Sequence, residues 1–551
     1  MLEKINGKKK LLLHCFIASL FLVLVYSRFV GLDWGLPYPM HPDERNMATA
    51  IQSLNCGISN FKECFNPHFF AYGQFPLYLG YLIVYFLKFF DGDLGFPISF
   101  QEAVISLRII LAIASIINAF ILLKIIKSII FNKFSSASRR IIFQLFSLII
   151  IIFSPFFIQF SHFGTTESLL MLFYSLIVYL SMQMVERRTT DAVVWLGLVS
   201  GLAVATKVSS AIFLVVPVTV LISKIKDQKS KWIPVFPSTE LRVNTGMTLL
   251  TFVFLFLTLI FTLFFSPHNL INFHDFFSSI KYESDVALGK SLVFYTRQFF
   301  NTQPILFQFE KIFPYTLGWP IFILGCLGFL GLSWKDKKIN LLRFAFLIYF
   351  IPSAIIYAKW SRFMAPVLPI ILIFAILFLV RVKIINFIKI IIIITAILPG
   401  IAYLQVYQNP DVRFQASDWI YKNIPNNSYI LSETANVVDV PFSNGTMEQS
   451  NNYNVISFNF YDLDESPELQ LELKNHLKKS NYIFVPSRRI FANHPKQKYP
   501  ILNKYYEDLF SGKLGFEKII EFSSGLNDEQ AEETWTVFDH PVIRIYKKVK
   551  S

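Results

Sequence analysis

Charge is what this chain has little of. Only 16% of its 551 residues are Asp, Glu, Lys or Arg, against about 25% in ordinary soluble proteins. That scarcity excludes a soluble enzyme and a disordered scaffold. Four cysteines are too few for a disulfide-rich secreted module. The sequence carries neither the P-loop glycine-lysine signature nor a dinucleotide-binding glycine fingerprint, so nothing in it supports nucleotide chemistry. What it does have is 54% hydrophobic residues, 60 of them Phe, in runs near the length that spans a bilayer. The composition is that of a polytopic membrane protein.

Charge is also unevenly distributed. Residues 405–551 hold 16 Lys+Arg and 19 Asp+Glu, while residues 1–404 hold 35 and 18. A basic, apolar front and a near-neutral tail divide the chain into a membrane domain (1–404) and a soluble domain (405–551). Nucleic acid is a poor explanation for the excess of lysine, because these residues sit in short loops between apolar runs.

The apolar runs fall at 11–31, 103–130, 141–160, 168–184, 191–207, 208–223, 245–266, 312–333, 341–358, 363–380 and 384–404. Lys4 and Lys8 to Lys10 place the N-terminus in the cytoplasm. Alternate loops are then basic, at Lys133 to Arg140, Arg187-Arg188, Lys224 to Lys231, Lys335 to Lys338, and Arg381 with Lys383. Counting residues 73–90 as a span would move every basic loop after them to the outer face. This Tyr- and Phe-rich segment is therefore expected to rest in the interface. Eleven spans put the 32–102 loop and the 405–551 tail outside, in a cell (inner) membrane. The N-terminal run is too long, and too early in a polytopic chain, to prefer a cleaved signal peptide. Cys15 and Cys326 lie in apolar runs as inert packing residues, and Cys56 and Cys64 share the outer loop, where a disulfide is permitted.

Ionised side chains near a membrane are costly and mark functional positions. Asp43 and Glu44 are adjacent in Pro39-Met-His41-Pro42-Asp43-Glu44, just after the first run, and Pro42 predicts a helix start there. The plain alternative is a helix-capping acid. Arg108 opens the second run, Lys207 closes the fifth, and Lys359-Trp360-Ser361-Arg362 lies between the ninth and tenth. Snorkelling to lipid phosphate would explain any one of these cations. Four of them beside scarce carboxylates read as a cradle for an anionic headgroup. Glu167 follows Thr165-Thr166 at another outer turn, where it also fits a helix cap. His41, His68 and His162 are outside too. With the carboxylates they leave a divalent metal open, although no tight ligand spacing exists.

Taken in order, these motifs resemble the GT-C membrane glycosyltransferases, in the branch of the protein O-mannosyltransferases and the aminoarabinose transferase. They are HPDE (41–44), the segment Phe75-Pro76-Leu77-Tyr78, Arg108, GLAVATK (201–207) and SRFMAPVLP (361–369). The resemblance implies a GT-C-like domain of about eleven transmembrane helices with a C-terminal extracytoplasmic α/β domain. It also implies inverting transfer from a polyprenyl-phosphate sugar to an acceptor hydroxyl on a protein, lipid or glycan. Asp43 would be the general base, Glu44 and Glu167 would orient it or the sugar, and Arg108, Lys207 and Arg362 would hold the leaving phosphate. Lys359, His41 and His162 are grouped with that phosphate-binding set. The sequence departs from the family pattern at Phe363, where a Tyr is usual.

In the tail, helices are expected over 414–423 and 500–509, and strands over 428–432, 482–486, 518–522 and 542–546. Asp462, Asp464 and Glu465 read as a solvated loop, and the tail shows no catalytic constellation. A transporter or flippase of lipid-linked saccharides is the alternative function, but it should place ionisable groups near the midplane between inverted repeats. No such repeat is found. An assembly protein whose outer loop binds a partner is the third reading.

Overall fold

The computed structural model describes residues 7–55, 63–95, 97–130, 137–186, 190–229, 237–383, 385–434, 437–442 and 453–549. The membrane domain begins with α1 (Gly7–Phe29), α2 (Pro42–Ser53) and α3 (Phe75–Asp91). It continues through α4 (Phe100–Ile130), α5 (Ala137–Ile152), α6 (Pro155–His162), α7 (Glu167–Glu186) and α8 (Thr190–Thr206). After a 3-10 stretch at Val208–Leu214 come α9 (Val215–Lys229), α10 (Pro237–Phe265), α11 (His268–Ile271) and α12 (Phe273–Ala287). It closes with α13 (Phe313–Leu317), α14 (Trp319–Gly331), α15 (Lys337–Ile355), α16 (Ser361–Met364), α17 (Leu368–Arg381) and α18 (Asn386–Gln408).

Among the described residues, five helices are long and apolar enough to cross a membrane, or up to seven when two bent pairs are each counted as one span. Four shorter apolar helices, Leu13–Phe29, Asp191–Thr206, Val208–Ser223 and Leu249–Phe265, fall on the remaining predicted runs. The chain is a multi-pass membrane protein. Two runs are not the straight spans expected. The run at 141–160 bends by 51° between α5 and α6, where Pro155 cannot continue the hydrogen-bond ladder. The run at 312–333 bends by 115° at Gly318, whose φ of 77° lies in the left-handed region. The helix α17 is apolar all round and buried by its neighbours, whereas α18 turns Ile391, Ile394 and Leu398 outward.

The helix α3 is not one of the span-length helices. It exposes Leu82, Phe86, Phe89 and Phe90 along one side and buries Leu77 and Val84 on the other. Lys88 does not snorkel. Its ammonium turns inward to Asp93 at 3.0 Å and Glu102 at 2.9 Å. Cys64 is disulfide-bonded, and Cys15 and Cys326 carry free thiols. Cys56 lies outside the described residues.

The tail is a three-layer α/β unit. Its sheet is β1 (Tyr429–Glu433), β2 (Asn454–Phe458), β3 (Tyr482–Val485), β4 (Phe516–Phe522) and β5 (Ile543–Lys548), in the order β2-β1-β3-β5-β4. Strand β1 runs parallel to β2 and β3, while β5 runs antiparallel to β3 and β4. The helix α19 (Val412–Asn423) packs Ala416 and Ile420 on one face against Ile430, Phe484 and Ile545. On the other face, α20 (Pro467–Lys479) and α21 (Pro500–Phe510) bring Leu473, Leu502 and Leu509 against Leu431, Ile483 and Tyr546. The acids expected in a solvated loop are used. Asp464 accepts from Ile501 N at 2.8 Å and Leu502 N at 3.0 Å at the start of α21, and Asp462 pairs with Arg297 at 3.0 Å. A short α22 (Glu533–Thr536) sits in the segment that docks on the membrane domain.

Candidate active site at one end of the bundle

Pro42 starts α2 as expected, and His41 is its cap, with Nδ1 accepting from Asp43 N at 3.2 Å. That cap uses His41 structurally. Its ring is buried between Phe163, at a centroid distance of 4.7 Å, and Phe538 at 4.2 Å. Burial, reinforced by the nearby Arg362 charge, holds the ring well below its ordinary pKa. The imidazole is enclosed, with Nδ1 committed to the cap.

Glu44 points the other way and is buried. Its carboxylate accepts from Arg108 Nε and Nη2, both at 2.7 Å, and from Gly164 N at 2.6 Å. A side chain at position 164 would collide with that carboxylate, because a Cβ there would lie 2.6 Å from Glu44 Oε1. Arg108 spends its remaining nitrogen, Nη1, on the carbonyls of Leu32 at 2.7 Å and Trp34 at 2.9 Å. It lies 4.4 Å from the Trp34 ring and is 1% exposed. This is a bidentate clamp between α4 and the outer loop, so Arg108 offers no free fork to a phosphate. His162 is likewise consumed, with Nδ1 at 2.7 Å from Ile158 O, Nε2 at 2.8 Å from Val30 O, and its ring stacked on Tyr407 at 3.7 Å.

Asp43 faces outward from the same turn and ion-pairs with Arg362 at the start of α16. Arg362 lies 4.8 Å from the Trp360 ring. Phe363, the next residue, forms one wall of an aromatic seat for Lys207, whose Nζ is 5.4 Å from Phe363 and 4.9 Å from Tyr72. Lys207 is extended (φ −158°, ψ 123°) where α8 breaks into the 3-10 stretch. Gly73 N donates to Thr206 O at 2.9 Å there, and the approach is so close that a Cβ at Gly73 would fall 1.9 Å from Ala205 O. The Lys207 ammonium makes no hydrogen bond or ion pair within the described residues, and the carboxylates whose field reaches it are Glu167 and Glu283. It is a cation held ready by aromatic faces and unspent on the protein.

Glu167 accepts from Thr165 Oγ1 and from Thr166 N at 3.0 Å, so it folds back on the first turn of α7. Lys359 is buried and donates to Thr302 Oγ1 at 3.1 Å and to Tyr357 O at 3.0 Å, which makes it a strut rather than a ligand. Among the described residues no group of three or more His, Cys, Asp or Glu side chains converges as a metal site.

Sequence reasoning missed the contribution of the tail. Glu532 accepts from Ser361 N at 2.9 Å and from Gln298 Nε2 at 3.1 Å, directly behind Arg362. Glu533 pairs with Arg489 at 2.8 Å. Further along, Asp539 accepts from Tyr407 at 2.6 Å and Tyr403 at 2.8 Å on α18. His540 bridges Asp539 at 2.6 Å and Asp528 at 3.0 Å. The partners that tie these acids to the membrane domain, Ser361 and Gln298 for Glu532 and Tyr403 and Tyr407 for Asp539, lie more than a hundred residues away in sequence. Tyr72 and Glu283 were missed for the same reason.

The fold and this rim define a multi-pass membrane protein with paired and unpaired charges gathered at one end of a helical bundle. Residues 76–237 match the family model for dolichyl-phosphate-mannose-protein mannosyltransferase. The matched stretch contains Pro76, Arg108 and GLAVATK, so it falls on three of the five motifs that carry the resemblance. No curated protein sequence matches the chain. Among solved structures the chain is similar to ArnT from Cupriavidus metallidurans, both in the apo state and bound to undecaprenyl phosphate. In each case identity is 10%, coverage is 98% of both chains and the TM-score is 0.46.

Proposed function

We propose that this chain transfers a sugar, with inversion, from a polyprenyl-phosphate donor to an acceptor hydroxyl at the extracytoplasmic face of a cell (inner) membrane. In this reading the N-terminus is cytoplasmic, and residues 1–404 carry the chemistry with 405–551 outside. The observation that supports it best is the meeting of three elements: Asp43 on α2, Arg362 on α16 and the unspent Lys207 at the end of α8. Asp43 takes the acceptor proton as the acceptor oxygen bonds to the anomeric carbon. The bond from that carbon to the phosphate oxygen breaks, and its electron pair leaves with the polyprenyl phosphate. Lys207 meets that phosphate, and Arg362 is shared between it and Asp43 as negative charge grows on the leaving group. Glu44 and Arg108 fix the turn that aims Asp43, a positioning role rather than phosphate binding. The mannosyltransferase family match over 76–237 supports the lipid-phosphate donor.

The test is Asp43→Asn in the full chain, reconstituted in nanodiscs with a polyprenyl-phosphate sugar. Loss of a general base predicts a fall in kcat of about 10²-fold or more, with binding of undecaprenyl phosphate retained. Full turnover in that variant would sink the assignment.

A further inference from the structure

A cavity of about 690 Å3 opens between α5, α17 and α18, at the end of the bundle far from the rim. Its walls are Ile142, Phe146 and Ile150 of α5, Ile376 and Leu379 of α17, and Ile393 of α18. Among the described residues its polar side chains are Ser147 and Lys389, and the Ser147 hydroxyl is spent on Phe143 O at 2.9 Å. All three helices run between this end and the rim. The helix α5 leads through α6 to His162, α17 begins just after Arg362, and α18 ends beside Tyr407, which stacks on His162. The cavity therefore opens into the leaflet opposite Asp43, which is cytoplasmic in the reading above.

Lys389 gives the site its charge. It stands in the first turn of α18, with Ile393 one turn deeper, and its ammonium makes no hydrogen bond or ion pair within the described residues. The helix α18 starts at Ile385 without a side-chain cap, so its first-turn amides add a positive field at the same level. Arg140 lies one turn before Phe143 on the same side of α5, and Arg381 and Lys383 follow at the end of α17. Among the described residues no carboxylate lines the cavity. Asp336, which approaches Arg381 at 3.9 Å, is engaged in capping α15 through Lys338 N and Ile339 N. One acid against four cations leaves the mouth basic.

These two halves select the occupant. A small aqueous anion gains nothing from isoleucine and phenylalanine walls, and a bare hydrocarbon chain leaves Lys389 unmatched at the edge of the bilayer. A zwitterionic head brings its own ammonium toward the basic mouth. A second copy of this chain, docked through the cleft by two-fold symmetry, would set Lys389 near its own mate. An amphiphile with a net negative phosphate head and hydrocarbon tails matches both halves. We infer that this cavity holds one anionic glycerophospholipid of the cytoplasmic leaflet, with an acyl chain between α5, α17 and α18 and its phosphate on Lys389. The site is separate from the transferase reading, because none of its residues takes part in that reaction.

The experiment is native mass spectrometry of the delipidated full chain in detergent, titrated with dioleoylphosphatidylglycerol, dioleoylphosphatidylethanolamine and undecaprenyl phosphate. Phosphatidylglycerol should bind about fivefold or more tighter than phosphatidylethanolamine, the preference expected from a single basic contact. Lys389→Gln should erase that preference. Ile390→Trp, at a position 48% exposed beside the cleft, should fill the cavity and weaken phosphatidylglycerol about tenfold, which covers the case in which Lys389→Gln misfolds. Lys335→Gln, an exposed cation in the loop between α14 and α15, should change nothing. Equal binding of the two glycerophospholipids would overturn the inference, and so would phosphatidylglycerol binding that neither cavity variant weakens. Displacement of phosphatidylglycerol by an equal concentration of undecaprenyl phosphate would give the cleft to a polyprenyl lipid instead. A two-chain species abolished by Ile390→Trp would give it to a second copy, and either result sinks the glycerophospholipid assignment.

Discussion

The Glu44–Arg108 clamp makes the strongest quantitative demand on the structure. Both groups are buried, at 2% and 1% exposure, and joined by two 2.7 Å hydrogen bonds. In Glu44→Gln the amide can still accept from Arg108 Nε and Gly164 N, but its NH2 faces the Nη2 donor of an arginine that stays charged. An uncompensated buried charge costs about 3–5 kcal/mol. For a chain of this size that corresponds to a fall in thermal midpoint of roughly 3–4 °C. Arg108→Gln should cost a similar amount, because it strands the carboxylate instead. The double variant, with two neutral amides, should lose clearly less than the sum of the two. Fluorescence-detected size exclusion after heating, in one detergent and at one pH, reads all four chains. Asp43→Asn, measured beside them, should lose less than Glu44→Gln, because the Asp43–Arg362 pair keeps about a fifth of each side chain exposed while the clamp is closed off. A small loss in Glu44→Gln, or an equal loss in Asp43→Asn, would refute the division of labour between clamp and base.

Lys207→Met removes the one rim ammonium that the described residues leave without a polar partner, while keeping its apolar stem between Tyr72 and Phe363. The KM for the lipid-phosphate donor should rise by about tenfold or more, with the thermal midpoint nearly unchanged, and donor titration in nanodiscs checks this. His540 gives a pH signature. Burial opposes its charge, but Asp528 and Asp539 outweigh burial and push it up to about 10. A raised pKa means the contribution to stability is whole below the ordinary value of 6.5 and is lost as pH rises through about 10. Protease resistance of the tail should therefore fall between pH 7 and 10, and His540→Gln should flatten that dependence.

Most of the bundle was legible because apolar runs report directly on the bilayer, and each predicted run meets an apolar helix or bent pair. The bends were not legible: Pro155 and Gly318 were in view, but the angle depends on how neighbouring helices pack. The HPDE turn could be read because Pro42 and the two acids act locally. The partners of the two acids could not, since Glu44 finds Arg108 across 64 positions and Asp43 finds Arg362 across more than three hundred. Strand β2 escaped because Asn454–Phe458 is short and mostly exposed, so it lacks the alternation that marks a half-buried strand.

The docking segment of the tail packs deep into the membrane domain beside Arg362. Trp535 is buried against Phe160 and Tyr403, and Gln159 donates to the Trp535 carbonyl at 2.8 Å. Ending the chain after Gln408 would uncover those apolar faces. It would also strip partners from Gln159, Tyr403 and Tyr407, so loss of activity in such a truncation would report misfolding as much as chemistry. Glu532→Ala separates the two. It removes the acceptor for Ser361 N and leaves the Trp535 contacts in place, so Arg362 loses its rear support while the docking survives. Loss of one such buried hydrogen bond, about 1–3 kcal/mol, should lower kcat about tenfold with little change in donor KM. Trp535→Ala should instead cost about 3–5 kcal/mol of stability and reduce active protein without altering kcat per folded molecule. If Glu532→Ala keeps full kcat, the carboxylate behind Arg362 only glues two domains together, and the arginine is positioned from the membrane side alone.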